Sequence, residues 1–136
     1  MSKKNYKEYR AIAALLFVGL LTGSNHGSAG STNTGISNST GAIEMFSYKP
    51  LDGIDIENLL ATDARVKEEF VAKQPGYINR YTTVSKDGTV FVFVHWDSMK
   101  SVRASQAKAM EDPLMGEYMG MMNQDTLVFH NLTVKQ

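Results

Sequence analysis

QPGYINRYTTVSKDGTVFVFVHW, residues 74–96, is the stretch whose reading decides the fold. Pro75-Gly76 ends a preceding helix, because proline cannot continue one and glycine accepts positive φ. Residues 77–84 are aromatic and β-branched and read as a strand. Asp87-Gly88 is a hairpin signal, since both central positions of a type I′ turn need positive φ. Residues 90–94, VFVFV, lack polar alternation, the mark of a strand covered on both faces. Helices can cover one face. In so short a chain, a second subunit is the natural cover for the other.

A two- or four-residue loop at Asp87-Gly88 fixes side-chain parity. It places Tyr77, Asn79, Tyr81 and Thr83 on one face with Val90, Val92, Val94 and Trp96. Ile78, Arg80, Thr82 and Val84 then share the other face with Phe91, Phe93 and His95.

Working outward, residues 42–49 read as a first strand closed by Pro50 and Asp52-Gly53. Residues 54–73 carry a helical pattern, capped by Asp52 or Asp55, with Ile56, Leu59, Leu60, Val66 and Phe70 on the buried stripe. Asp63 falls on that stripe. Asp97-Ser98 caps a second helix over 99–110, and Asp112-Pro113 opens a short one through Met122. Residues 125–134 form the last strand. The order is β-α-β-β-α-β with one extra short helix. That is an α+β, ferredoxin-like arrangement with an antiparallel sheet and its first and third strands in the middle.

Upstream lies a three-part leader. Four cations and one acid occupy the first ten residues, and an 11-residue apolar run follows over 11–21. Small residues around Ala29 complete the pattern of a secretory signal. The run is shorter than the ~20 residues of a membrane span, so no stable span is expected after cleavage. The organisation is a signal peptide over 1–29, a Gly/Ser/Thr/Asn linker over 30–41 and a folded domain over 42–136, exported to the periplasm or beyond. Outside the first ten residues, ten cations face thirteen acids. That balance argues against nucleic-acid binding, which needs a basic patch. The chain has no cysteine, which excludes disulfides and thiolate metal sites.

Phe70–Met99 (FVAKQPGYINRYTTVSKDGTVFVFVHWDSM) and Met110–Met122 (MEDPLMGEYMGMM), with the element order, resemble the antibiotic-biosynthesis-monooxygenase-like branch of the dimeric α+β barrels. The resemblance spans about two-thirds of the chain, roughly residues 42–134. It implies a homodimer whose sheets face each other and a pocket in each subunit between sheet and helices. Members include cofactor-free oxygenases of small aromatic substrates and haem-degrading enzymes. Trp96 matches the tryptophan that ends the third strand in many members. Haem-degrading members add a histidine about ten residues on, where this chain has Gln106, and a first-strand asparagine that residues 42–49 lack. The resemblance therefore implies a protein that uses no cofactor.

Candidate chemistry is sparse. Tyr77, Asn79, Tyr81 and Trp96 read either as the wall of an aromatic pocket, with the Asn79 amide orienting a phenol or quinone, or as plain aromatic core. Among Met110, Met115, Met119, Met121 and Met122, Met119 is taken as a ligand contact in an adaptable pocket, against a helix-core reading of the whole group. His95 and Asp63 are the candidate bases: His95 for titrating near neutrality, Asp63 as a carboxyl on an apolar helix face. Each has a structural alternative, a satisfied rim histidine or an acid at the solvent edge. Arg80 is read as a dimer contact or an anion partner. His95 and His130 lie a strand apart, about 10 Å, too far for one metal ion to bind both within a subunit. No phosphate loop, nucleophile elbow or metal motif is present. Two functions fit: a cofactor-free monooxygenase acting on a small phenol or quinone, or a non-catalytic module binding a small apolar ligand or serving in assembly.

Overall fold

Proline and glycine set the frame, and the strands between them form one antiparallel sheet. In the computed structural model, which describes residues 41–135, β1 is Ala42–Pro50, β2 Tyr77–Val84, β3 Val90–Trp96 and β4 Met122–Thr133. The spatial order is β2-β3-β1-β4, with β1 and β3 central. Helix α1, Ile56–Arg65, is capped by the Asp55 side chain accepting from the Glu57 N–H. It runs on through a π-helical turn, Val66–Phe70, and a 3₁₀ turn, Val71–Lys73. Helix α2, Met99–Ala109, is capped by Ser98, and α3, Pro113–Met119, by Asp112 with Pro113 in its first turn. The chain turns back after Met119, so β4 begins three residues earlier than its apolar pattern suggests. The expected signal peptide over 1–29 and residues 30–40 of the expected linker lie outside the described residues. Among the described residues no helix is long and apolar enough to cross a membrane.

The hairpin register departs from expectation, and the turn explains why. Type I′ geometry would need Asp87 at positive φ, yet only glycines adopt positive φ here, Gly88 at +81°. Gly88 N–H donates to Ser85 O at 3.0 Å and Ser85 N–H to Thr89 O at 2.9 Å. This is a type I turn followed by a left-handed glycine, a three-residue loop. Side chains select it: Thr89 Oγ1 donates to Asp87 Oδ2 at 3.0 Å, and the Ser85 hydroxyl donates to Asp87 Oδ1. The Ser85 and Thr89 hydroxyls together hold the Asp87 carboxyl below its ordinary range.

An odd loop reverses parity. Arg80, Thr82 and Val84 pair with Val94, Val92 and Val90, and Asn79 and Tyr81 pair with His95 and Phe93. A bulge between Tyr77 and Asn79 restores the expected partner at the far end, Tyr77 opposite Trp96. The expected grouping of Asn79 and Tyr81 with Trp96 is therefore corrected, as is the placing of Arg80 beside His95.

The core lies between the helices and the inner face of the sheet. Ala42, Phe46 and Tyr48 of β1, Val90, Val92, Val94 and Trp96 of β3, and Leu59, Val66, Val102 and Tyr118 of the helices are buried there. The outer face carries Ile43, Met45, Phe91, Phe93, Val128 and Leu132 in register across β3, β1 and β4. Val128 and Leu132 are 49% and 45% exposed.

Gly76, at φ +84°, joins α1 to β2, and its carbonyl accepts from Asp97 N–H at 2.8 Å. A Cβ there would stand 2.2 Å from Ser101 Oγ and 2.4 Å from Asp97 Oδ1. Gly76→Ala is expected to cost at least about 2 kcal/mol, combining a left-handed penalty of ~1–2 kcal/mol with the clash. Gly88→Ala, with open space around it, should lose only the conformational part, about 1 kcal/mol. Urea midpoints compare the two, and equal losses would contradict the packing argument.

Candidate functional site

A cavity of about 80 Å³ opens between the inner face of the sheet and the helices. Its walls are mostly apolar: Phe46, Leu127 and Phe129 from the sheet, Phe70 and Val71 from the end of α1, and Met110, Met115, Met119 and Met122 around α3. Phe46 and Phe129 stack with centroids 5.9 Å apart. Phe70 and Val71 are neighbours in sequence, yet both point inward. The π turn allows this, with the Val71 N–H donating to Val66 O five residues back.

Glu44 stands at one polar end of the cavity. Its Oε1 accepts from Gln106 Nε2 at 3.0 Å, and the same amide donates to Asn131 Oδ1 at 3.0 Å. Trp96 favours the charged form of this carboxyl, and its buried indole N–H completes no hydrogen bond to an acceptor among the described residues. Desolvation by the surrounding wall raises the Glu44 pKa above its ordinary 4.5; the Gln106 bond, the Arg80 charge and Trp96 pull it part of the way back. Glu44 keeps some accessible surface and also lines the cavity.

A second polar group is already satisfied within itself. Asp63, 6% exposed, pairs with Arg80 through Oδ1 and accepts from the Tyr118 hydroxyl at 2.6 Å and from Thr82 Oγ1 at 2.6 Å. The Tyr48 and Tyr118 hydroxyls are 2.7 Å apart, and because Tyr118 donates to Asp63, Tyr48 donates to Tyr118. Burial, and then the Asp63 charge, raise the Tyr118 pKa well above its ordinary 10.0. Arg80 lies 5.7 Å over the Tyr118 ring, and its Nε is buried without a partner.

Asp63 is thus buried as its helix stripe implies, but three donors occupy it, so it is an anchor rather than a waiting base. Arg80 is no dimer contact; it points inward, onto its own chain's Asp63. His95 lies on the outer face, its ring edge-on to Tyr81 at 5.7 Å, away from the cavity. Asn79 Nδ2 donates to Tyr81 Oη at 2.9 Å on that same outer face. Tyr77 packs edge-on to Trp96 at 6.0 Å under the helices. Of the residues assigned to ligand binding from sequence, Met119 lines the cavity; Tyr77 and Trp96 stand on its side of the sheet without lining it. Glu44 and Gln106 went unassigned. Among the described residues no cluster of three His, Asp or Glu side chains is placed to hold a metal ion.

No protein-family model and no curated protein matches this sequence. Solved structures do. A cofactor-independent oxygenase from Streptomyces nogalater, SnoaB, superposes with a TM-score of 0.61 at 15% identity, covering 71% of this chain and 95% of that one. ActVA-Orf6 of Streptomyces coelicolor, a monooxygenase solved with nanaomycin D, gives 0.55 at 16% identity over 72% and 90%. An antibiotic biosynthesis monooxygenase so described from Caulobacter crescentus gives 0.53 at 19% over 71% and 92%. The chain has the fold of the antibiotic-biosynthesis-monooxygenase-like proteins.

Proposed function

We propose that this protein is an exported, homodimeric oxygenase that acts without a cofactor on a small phenol-type aromatic. The observation that carries the reading is the cavity between sheet and helices, apolar along its walls and ending in the Glu44 carboxyl, held at one oxygen by Gln106. Such a pocket binds an aromatic ring and orients it through few polar contacts. Cavities of about 150 Å³ admit benzene, so a ring enters this smaller space as the pliable methionines move aside. The substrate supplies the electrons. A ring carbon that carries two hydrogens in the keto form takes one atom of O₂, and the other atom leaves as water with those hydrogens. The protein's part is to exclude water, hold the ring and accept a proton. Export rests on the basic, apolar and small-residue order of the leader.

A second reading, a non-catalytic module that binds a small apolar ligand, draws on the fate of the two expected bases: Asp63 is engaged and His95 lies on the other face. Oxygen uptake separates the readings. With a panel of phenols and enolisable aryl ketones, wild type is expected to consume O₂. Ala109→Phe, which fills the cavity, is expected to lose at least about tenfold of that rate, equivalent to ~1.4 kcal/mol of transition-state binding. Uptake untouched by Ala109→Phe would remove the oxygenase from this cavity. A ligand-dependent rise in melting temperature with no uptake would favour the binding module.

A further inference from the structure

We infer that Glu44 is the residue that takes the proton from the bound ring, with Gln106 and Asn131 as the positioning residues that aim it. This deepens the oxygenase reading and rests on it for the identity of the ligand. Three titratable side chains line the cavity: Glu44, Arg80 and Tyr118. Arg80 is a permanent cation tied to Asp63, and Tyr118 spends its proton on the same carboxylate. Neither can accept a proton. Glu44 can, because it lines the cavity and its hydrogen bond from Gln106 engages Oε1.

The neighbours of Glu44 suit the task. Opposite it on β4 stands Asn131, uncharged, and from α2 comes Gln106, also uncharged. Trp96 approaches from β3, and Arg80 on β2 is the charged group that acts on it. In the step, the substrate C–H bond breaks, its electron pair stays on the ring as an enolate, and the proton forms an O–H bond with Glu44 Oε2. Arg80, on the same cavity, faces the enolate charge. A carboxyl desolvated in an apolar wall is also better matched to this work near neutral pH than one in water.

Proton abstraction can be read without oxygen. The full chain is placed in deuterated buffer under nitrogen with 2-indanone, an enolisable aryl ketone, and loss of its CH₂ signal is followed by NMR. Wild type should accelerate exchange over buffer. Glu44→Gln should lose about 10²–10⁴-fold of that acceleration, the usual worth of a general base, while the ketone still raises the melting temperature. Gln106→Met offers a second measurement that does not depend on the first variant folding. It removes a hydrogen bond that favours the charged carboxylate, so the Glu44 pKa rises further and the acid limb of the exchange profile moves to higher pH.

Equal exchange in wild type and Glu44→Gln would overturn the inference, as would binding without exchange or an unmoved acid limb in Gln106→Met. No binding by wild type would sink the ligand class and the inference together. Exchange under nitrogen with no O₂ uptake in air would defeat the oxygenase reading and leave the role of Glu44 standing.

Discussion

Asp63→Ala is expected to destabilise the domain by about 3–5 kcal/mol, the cost of leaving a buried charge without its counter-ion. Arg80 has a side chain only 2% exposed, so it cannot recover hydration when its carboxylate is removed. Its Nε already lacks a partner. The same substitution strands the Thr82 and Tyr118 hydroxyls and loosens the Tyr48 end of the chain of hydroxyls behind them. A domain whose whole stability is ordinarily about 5–15 kcal/mol would be brought near unfolding, and urea titration by circular dichroism measures the shift. Asp63→Leu combined with Arg80→Met should recover much of the loss, because apolar side chains of similar volume replace a buried pair at little cost. If Asp63→Ala melts within about 1 kcal/mol of wild type, the pair is not the anchor of α1 to β2 that its burial implies.

The next largest effect concerns the outer face of the sheet. Wild type is expected to sediment as a dimer and Phe93→Glu as a monomer. Phe93 sits on β3 beside Met45 of β1, and Met45 in turn sits beside His130 of β4. Around this row lie Ile43, Phe91, Val128 and Leu132, an apolar surface wider than single scattered side chains explain. In a two-fold interface one substitution acts twice. Losing two buried phenylalanines at ~1.5–3 kcal/mol each and burying two carboxylates should weaken association by at least ~10³-fold. Phe93 makes few demands on the inner core, so the variant should fold, and sedimentation velocity over a concentration series tests it. A wild type that stays monomeric at high concentration would refute the twin-sheet reading.

Much of the fold was legible in the sequence because its signals are local. Pro75-Gly76, Asp97-Ser98 and Asp112-Pro113 each punctuate the chain where a helix stops or starts, and the VFVFV run announces a central strand. The site was less legible, since it depends on parity. The two turn residues are visible in the sequence, but the Ser85 and Thr89 hydroxyls choose a three-residue loop, and that one residue of difference moves Asn79, Tyr81 and Arg80 to the opposite faces. Asp63 was placed on the buried stripe, yet its partner could be found only with the correct register. Glu44 carried a usable signal. It is the one charged residue in the alternating set Ala42, Glu44, Phe46, Tyr48, and an acid on an otherwise apolar strand face asks for a reason. At Gln106 the family comparison stresses the missing histidine, whereas the amide itself is the informative part.

The π-helical turn at the end of α1 decides how Phe70 and Val71 line the cavity. A helix holding one surplus residue can reabsorb it by slipping its hydrogen-bond ladder one step, withdrawing Phe70 or Val71 from the chamber. Capacity there is then governed by main-chain pairing over a single turn as well as by the side chains around it.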